Sequence, residues 1–285
     1  MRKDILLYFG IKKESSQDII VHETHVNSIL IRSKIYGVDY AVNPYIGCAH
    51  GCVYCYARYI FERRGIEPSL WGKVVFVKRN APIVLSREVR ASKKGLTLLS
   101  SVTDSYQFIE KEYKITRKLI EVLAKYKYPI VILTKSDLVL RDIDLIKRTE
   151  AEIGFTIVTI DDKVREVFEP RAAPIEKRLL ALKKITSMGF PTYVFIGPIL
   201  PIFTEKDLPL IFEEISEYGV QRVLVDKLNF KAKNWTFIDK ALNAFSPKIK
   251  HEFWKKAKNR SFYELIRKQV IQLGRKYKIS IDFCY

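Results

Sequence analysis

Residues 43–56 read Asn43-Pro44-Tyr45-Ile46-Gly47-Cys48-Ala49-His50-Gly51-Cys52-Val53-Tyr54-Cys55-Tyr56 and hold three of the four cysteines of the chain. The spacing is C-x3-C-x2-C, so three thiols lie within eight residues. Soft thiolate sulfur selects iron–sulfur clusters or zinc. A [4Fe-4S] cube with three cysteine ligands keeps one iron open, whereas electron-transfer clusters usually take four cysteines. The spacing therefore favours a substrate-binding [4Fe-4S] cluster with Cys48, Cys52 and Cys55 as its ligands.

Zinc is the alternative metal, because the three cysteines and His50 together would form a Cys3His site. Structural zinc sites usually pair their ligands as C-x2-C, with the second pair some distance away along the chain. This stretch is too compact for that arrangement. Gly47 and Gly51 bracket the cysteines, and glycine lets the backbone approach a cluster closely. We expect His50 to pack or to hydrogen-bond rather than to bind a metal.

The composition indicates a globular protein with an anionic partner. The chain has 285 residues, 48% of them hydrophobic, which allows one large domain or two small ones. Its formal net charge is +18, which favours nucleic acid as the partner. A lysine-rich surface with no such partner is the alternative.

Membrane and secretory features are not expected. No run of about 18 apolar residues occurs, and Met1–Leu7 is basic and then only briefly apolar, unlike a signal peptide. Four cysteines, three of them in one metal-like motif, do not form a disulfide framework. We therefore expect a cytoplasmic protein with no membrane association, and we expect a monomer.

From Tyr40 onward, short apolar runs alternate with helical patterns, which is typical of parallel βα units. The sequence predicts six strands, at residues 40–43, 96–100, 130–133, 152–158, 192–196 and 222–225. It also predicts helices at 114–126, 175–188 and 205–218, and an added strand at 74–77. Two short strands are expected earlier, at 18–22 and 28–32. We predict an α/β fold with six parallel βα units over residues 40–229, an N-terminal leader at 1–39 and a C-terminal extension at 230–285.

In parallel barrels the chemistry sits at the C-terminal ends of the strands. Polar residues follow most of the predicted strands, which is consistent with one polar pocket. They lie at 101–107, 134–136, 159–162 and 226–229.

Several of these segments resemble one family. Cys48, Cys52, Tyr54 and Cys55 match the C-x3-C-x-aromatic-C motif of the radical S-adenosylmethionine (SAM) superfamily. Residues 43–58, 103–110, 133–136 and 169–179 are similar to the branch related to spore photoproduct lyase, also called DNA-repair-photolyase-like. The similarity runs from about Val42 to Asp226, although Ser105, Phe108 and Ala173 stand where that branch usually has prolines.

The resemblance implies that the six βα units of residues 40–229 form a partial (β/α)6 TIM-type barrel, and that a [4Fe-4S] cluster binds SAM through its open iron. It also implies reductive cleavage of SAM to a 5′-deoxyadenosyl radical and an external electron donor such as ferredoxin or flavodoxin. Tyr54 is then expected to pack on the adenine. Arg171 or Lys135 is expected to contact the methionyl carboxylate, and Thr103, Asp104 or Ser136 the ammonium group. For Ser136 the alternative is a helix cap.

The stretch from Lys227 to Arg260 holds ten lysines and arginines but only two acids, Asp239 and Glu252. Six large aromatic residues are interleaved with them: Phe230, Trp235, Phe237, Phe245, Phe253 and Trp254. Cations with aromatic rings suit phosphate contacts and base stacking. An amphipathic cover, with the aromatics buried and the lysines in water, uses the same residues equally well.

These patterns leave three hypotheses for function. The first is a radical SAM enzyme that acts on nucleic acid, by DNA lesion repair or base modification in a lyase-like reaction. The second is a radical SAM enzyme with a small-molecule or protein substrate. The third is a nucleic-acid-binding protein whose metal site is structural. Iron content and SAM cleavage separate the third hypothesis from the other two.

Overall fold

The structure, a computed structural model, describes residues 13–14 and 19–285. Part of the predicted leader, including Met1–Leu7 and the start of the strand predicted at Asp18, lies outside the described residues. The chain divides into two compact units. The first comprises the described residues up to Gly51 together with 57–134 and 138–151, and the second comprises 52–56, 135–137 and 152–285.

The first unit contains eight strands and five helices among its described residues. The strands are β1 Lys13–Glu14, β2 Ile20–Thr24, β3 Ile31–Arg32, β4 Tyr40–Val42, β5 Tyr45–Ile46, β6 Val74–Lys78, β7 Thr97–Leu99 and β8 Ile130–Thr134. The helices are α1 Tyr59–Arg63, α2 Ala81–Ala91, α3 Glu110–Tyr113, α4 Ile115–Lys125 and α5 Ile143–Ile146.

Two sets of strands pair within this unit. Strands β4, β7 and β8 are parallel neighbours, and β3 pairs antiparallel with β4. A separate sheet has the order β1-β2-β6-β5, in which only the β2–β6 pair is parallel. The strand predicted near Val74 therefore belongs to this second sheet, beside the predicted N-terminal strand.

The second unit carries a parallel sheet in the order β9-β10-β11-β12. Its strands are β9 Ala151–Thr156, β10 Thr192–Ile196, β11 Arg222–Val225 and β12 Ser280–Phe283. Its helices are α6 Asp162–Phe168, α7 Ile175–Ser187, α8 Phe203–Glu217, α9 Asn234–Ala241, α10 Pro247–Ala257 and α11 Arg260–Tyr277. The last strand, β12, pairs with β11 and lies in the segment predicted as a C-terminal extension.

The α/β class with mostly parallel strands is confirmed, and each of the six predicted strands is present. Buried apolar residues lie in each of these strands, and Val42, Ile132 and Val223 are fully buried. Helix α4 buries Ile115, Leu119 and Leu123 on one face, as its spacing predicts. The predicted domain boundaries at residues 40 and 230 stay a prediction.

The core of the second unit is aromatic. Phe168 packs against Phe203, Phe245 and Phe253, with ring centroids between 5.4 and 6.3 Å apart. Aliphatic side chains from α6 and α9 belong to the same cluster. Across the described ranges 13–14 and 19–285, no helix combines the length and hydropathy needed to cross a bilayer.

Candidate functional site

The cysteine stretch, residues 43–56, begins in the first unit, and Gly47 and Cys48 directly follow β5. Gly47 has a φ of +87°, and a Cβ at this position would lie 2.6 Å from the carbonyl oxygen of Val74. Only glycine fits this approach of two backbones. The amide of Gly51 then donates to the carbonyl of Cys48, which closes a tight turn around Ala49 and His50.

Side chains that follow β7 hold this turn in place. The Thr103 hydroxyl donates to the carbonyl of Gly47 at 2.6 Å. The Gln107 side-chain oxygen accepts from the amide of Ala49 at 2.7 Å, and Gln107 is fully buried. These bonds fix the backbone on both sides of Cys48, whose side chain is itself buried.

Asp104 contacts the same turn through its carboxylate. Its Oδ2 lies 3.1 Å from Nε2 of His50, and its Oδ1 accepts from the hydroxyl of Thr134 and the amide of Tyr106, each at 2.8 Å. His50 therefore makes a polar contact within the protein, as expected. Thr103 and Asp104, predicted as SAM contacts, here support the turn that carries Cys48, and their role towards SAM stays a prediction.

The remainder of the stretch, Cys52–Tyr56, belongs to the second unit. The amide of Val53 donates to the carbonyl of Phe168 at 2.9 Å, and the amide of Cys55 to the carbonyl of Cys52 at 3.2 Å. The Asn234 side chain is fully buried and donates to the carbonyl of Tyr54 at 2.7 Å. The backbone between Cys52 and Cys55 is thus tied to the end of α6 and to the start of α9.

The hydroxyl of Tyr54 contacts a buried carboxylate. Its hydroxyl donates to Oε1 of Glu169, the residue directly after α6. Glu169 also pairs with Nη1 of Arg178 at 2.6 Å, and both partners are fully buried. The ammonium of Lys135 lies 3.9 Å from the same carboxylate and 5.8 Å from the centre of the Tyr54 ring. Two cations and one hydroxyl donor therefore surround Glu169.

The pKa values in this group follow from burial and charge. Burial would raise the pKa of Glu169, but the charges of Arg178 and Lys135 outweigh it and hold this pKa below its usual value. Burial and the adjacent Glu169 charge raise the pKa of Tyr54, so its hydroxyl stays protonated and remains a donor. The carboxylate is therefore charged and the tyrosine neutral at physiological pH.

The three predicted ligand thiols share their chemistry but differ in exposure. Cys48 and Cys52 are buried, Cys55 is half-buried, and none of them forms a disulfide. Burial raises the pKa of the Cys52 thiol to about 12, so a bound metal is the kind of counter-charge that would hold it as a thiolate. Three thiols fit an iron–sulfur cluster in donor type. Among the described residues, no three histidine, cysteine or carboxylate side chains are arranged as a metal site, so this ligand set stays a prediction.

The other predicted cofactor contacts lie in the second unit. The carbonyl of Lys135 accepts from the amide of Ala173 at 3.1 Å, which ties this residue to the segment that follows Glu169. Ser136 is buried and Arg171 is half-buried. Arg178, in contrast to Arg171, is fully buried, and its guanidinium donates to the carbonyls of Ala173 and Thr156 as well as to Glu169.

Glu169, Arg178 and Asn234 received no role from the sequence. Glu169 and Arg178 do fall inside the segment that resembles the lyase-like branch, and that is the signal that could have drawn attention to them. Asn234 carries no such signal. Its bond to Tyr54 joins residues 180 positions apart in the sequence.

Five of the six C-terminal aromatic residues divide into two groups, and the sixth, Phe237, is half-buried. Phe253 is fully buried, and Phe245 and Trp254 pack against the same apolar cluster as Phe168. Phe230 and Trp235 are exposed, at 40% and 52% of their surface. The rings of the first group are therefore buried or half-buried, while those of the second group face solvent, and the interpretation of this segment as a cover stays a prediction.

Comparisons with known proteins agree with this picture. The family model described as the radical SAM superfamily matches residues 42–215. This chain therefore belongs to the radical SAM superfamily.

Two curated relatives are uncharacterized proteins. One, from Methanocaldococcus jannaschii, is 41% identical over 59% of this chain, and the match spans 63% of that protein. The other, from Acidianus two-tailed virus, is 28% identical over 86% of this chain and 82% of its own length. The chain thus spans a little under two thirds of the first relative.

A solved structure shares the fold. A double mutant of spore photoproduct lyase with bound AdoMet and dinucleoside spore photoproduct superposes with a TM-score of 0.69. It is 14% identical, and the match covers 93% of this chain and 81% of that one. The likeness confirms the predicted α/β fold, which is similar to the partial barrel of that protein.

Proposed function

We propose that this chain is a radical SAM enzyme that acts on nucleic acid, by repairing a DNA lesion or modifying a base in a lyase-like reaction. The observation that carries the proposal is the C-x3-C-x2-C motif, which lies inside the part of the chain matched by the superfamily. Cys48, Cys52 and Cys55 would hold a [4Fe-4S] cluster. When bound, such a cluster supplies the electron that cleaves SAM to methionine and a 5′-deoxyadenosyl radical.

The work of the surrounding residues is to hold the cysteine stretch still. Thr103 and Gln107 fix the backbone beside Cys48, and Glu169 fixes the Tyr54 ring between Cys52 and Cys55. Preorganised ligands spare the protein the cost of ordering a loop when the cofactor binds. We propose Tyr54, Thr103, Asp104, Lys135, Ser136 and Arg171 as SAM contacts.

Support for nucleic acid comes from charge and from the fold. The formal net charge is +18, and basic residues are dense between Lys227 and Arg260. Spore photoproduct lyase, which shares the fold, has been solved with a dinucleoside lesion. Reaching a base inside a duplex would require flipping it out of the stack, at a cost of a few kcal/mol. A single-stranded or already distorted site avoids much of that cost.

The test is SAM cleavage by anaerobically reconstituted protein. Product formation is measured without nucleic acid and with ultraviolet-irradiated DNA, undamaged DNA or RNA. We expect a brown protein that contains iron, cleaves SAM on reduction and is stimulated by one of the nucleic acids. A colourless protein that binds one zinc and leaves SAM intact would exclude the hypothesis of a radical SAM enzyme. Cleavage that no nucleic acid stimulates would favour a small-molecule or protein substrate.

A further inference from the structure

The loop between β11 and α9, together with the first turn of α9, presents aromatic rings and cations. Phe230 and Trp235 are exposed, at 40% and 52%, and Lys227, Lys231 and Lys233 are exposed between or beside them. Tyr56, the residue after Cys55, is 39% exposed, and the ammonium of Lys231 lies 5.9 Å from the centre of its ring. We call Tyr56, Phe230, Lys231, Lys233 and Trp235 the aromatic platform.

A buried asparagine anchors the platform to the cysteine stretch. Asn234 lies between Lys233 and Trp235, and its side-chain amide donates to the carbonyl of Tyr54 at 2.7 Å and to that of Asn229 at 2.8 Å. The side chain of Asn234 is fully buried, and its bond to Tyr54 forms away from water, so this bond is costly to leave unmade. The exposed rings on either side of Asn234 are therefore held beside Cys55 and Tyr56 rather than on a mobile tip.

The chemistry of the platform selects a polyanion with accessible ring faces. Exposed lysines suit phosphate groups, and exposed indole and phenyl rings suit stacked bases. Bases in an intact duplex have both faces covered by their neighbours, so stacking on these rings needs a single strand or an extruded nucleotide. A second copy of this chain is disfavoured as the occupant, because it would bring another net charge of +18.

We propose that the aromatic platform binds single-stranded DNA by stacking bases on Trp235 and Phe230, and so holds the nucleotide chain beside Cys55. This rests on the proposed function and names the form of nucleic acid that the protein engages. Lys231 and Lys233 contact the phosphates that flank the stacked bases. The carboxylates of the basic stretch are engaged elsewhere: Asp239 pairs with Lys250, and Glu252 lies 3.4 Å from Lys256.

The first test is binding of a fluorescent single-stranded oligodeoxynucleotide to the full chain. Trp235→Ala and Phe230→Ala should each weaken binding about 5- to 100-fold, since stacking on one aromatic ring contributes this much. Tyr36→Ala, at a fully exposed ring in the first unit, is the matched control and should leave the affinity unchanged. Trp235→Phe should retain most of the affinity, because phenylalanine also stacks. Urea midpoints of the variants establish that each is folded.

The second test locates the bound strand. An oligonucleotide that contains 4-thiothymidine is photo-crosslinked to the protein, and the modified peptides are identified by mass spectrometry. We expect crosslinks at Phe230–Trp235 or at Tyr56. Crosslinks confined to other peptides would overturn the proposal.

Other results of these binding experiments would contradict the proposal. Equal affinity for duplex and single strand, or unchanged affinity in Trp235→Ala, would show that the aromatic platform does not bind single-stranded DNA. If SAM cleavage is still stimulated by nucleic acid in that case, the proposed function stands without the platform. Trp235→Ala could instead reduce binding to RNA of the same sequence, or to anionic lipid vesicles, and leave DNA binding intact. That result would show that the platform binds this other ligand and not DNA. Wild-type protein that binds no nucleic acid at low salt would remove the proposed substrate as well.

Discussion

The two ends of the cysteine stretch are supported in different ways. In the first unit, the backbone around Cys48 is held by the uncharged side chains of Thr103 and Gln107. In the second unit, Tyr54 is held by Glu169, whose carboxylate is paired with the buried Arg178. Separate hydrogen bonds contribute about 1 kcal/mol each and can be lost singly. A buried ion pair is different, because losing one partner leaves a charge without compensation. The support of Tyr54 by Glu169 should therefore be more sensitive to a single substitution than the support of Cys48 by Thr103 or Gln107.

The largest effect is expected at the thiols themselves. Alanine at Cys48, Cys52 or Cys55 should abolish iron incorporation and SAM cleavage, because each thiolate would hold one iron. Iron content per chain and SAM turnover after anaerobic reconstitution measure this. Cys284→Ala is the matched control, since Cys284 is exposed after β12 and should not change the iron content. Loss of iron in Cys284→Ala but not in Cys48→Ala would show that the ligands are wrongly assigned.

The second-largest effect, a loss of stability, is expected for Glu169→Ala. It leaves the guanidinium of Arg178 buried and uncompensated, so the free energy of unfolding should fall by about 3–5 kcal/mol. Urea denaturation of the metal-free protein measures this without any dependence on the cofactor. Glu166 is an exposed carboxylate on α6, the helix that Glu169 follows, and it pairs with Arg165. Glu166→Ala should therefore cost less than about 1 kcal/mol. Similar losses in the two variants would contradict the contrast between the two supports.

The same contrast shows what the sequence can predict. The six parallel strands follow from runs of buried apolar residues, which are local patterns, and all six are present. The partners of Tyr54 are not local, because Glu169 lies 115 positions further along the chain and Asn234 lies 180. No periodicity joins such residues, so their contacts emerge only from the fold. Strand β12 was missed because Ser280–Phe283 alternates apolar and polar residues over only four positions.

In the first unit, Thr103→Val should have a modest effect. Valine has nearly the shape of threonine but cannot donate to the carbonyl of Gly47, and Gln107 lies 3.4 Å from the same oxygen as a second donor. We expect a loss of about 1 kcal/mol in the free energy of unfolding, again measured by urea denaturation. Thr24→Val is the control, since its hydroxyl is exposed, and it should change stability by less than about 0.5 kcal/mol. If Thr103→Val lowers the free energy of unfolding as much as Glu169→Ala does, the supports of Cys48 and of Tyr54 are equally important for stability.

Asp226, after β11, shows what a carboxylate in the second unit does without a buried arginine. Burial raises its pKa to about 6, and neither the hydrogen bond from the amide of Lys227 nor the charge of Lys227 offsets this. Glu169 is more deeply buried, yet its pKa is lowered, so the cations and not the degree of burial decide the direction.

Asp226→Asn should therefore stabilise the protein slightly at neutral pH. In the unfolded chain an aspartate has a pKa of about 3.9, so the native carboxyl binds its proton more tightly than the unfolded one. Stability then falls as the pH rises from about 4 to about 6, and the full cost of the buried charge is present above that range. Asparagine removes the charge and still accepts the hydrogen bond from Lys227, at 2.9 Å in the native protein. After allowance for partial exposure, we expect a gain of about 1 kcal/mol at pH 7.5 that vanishes near pH 4, measured as urea midpoints across that range. Glu217→Gln, at an exposed carboxylate, is the control and should change stability at pH 7.5 by less than about 0.5 kcal/mol. A gain of the same size at pH 4 and pH 7.5 would show that packing, and not the buried charge, separates Asp226 from Glu169.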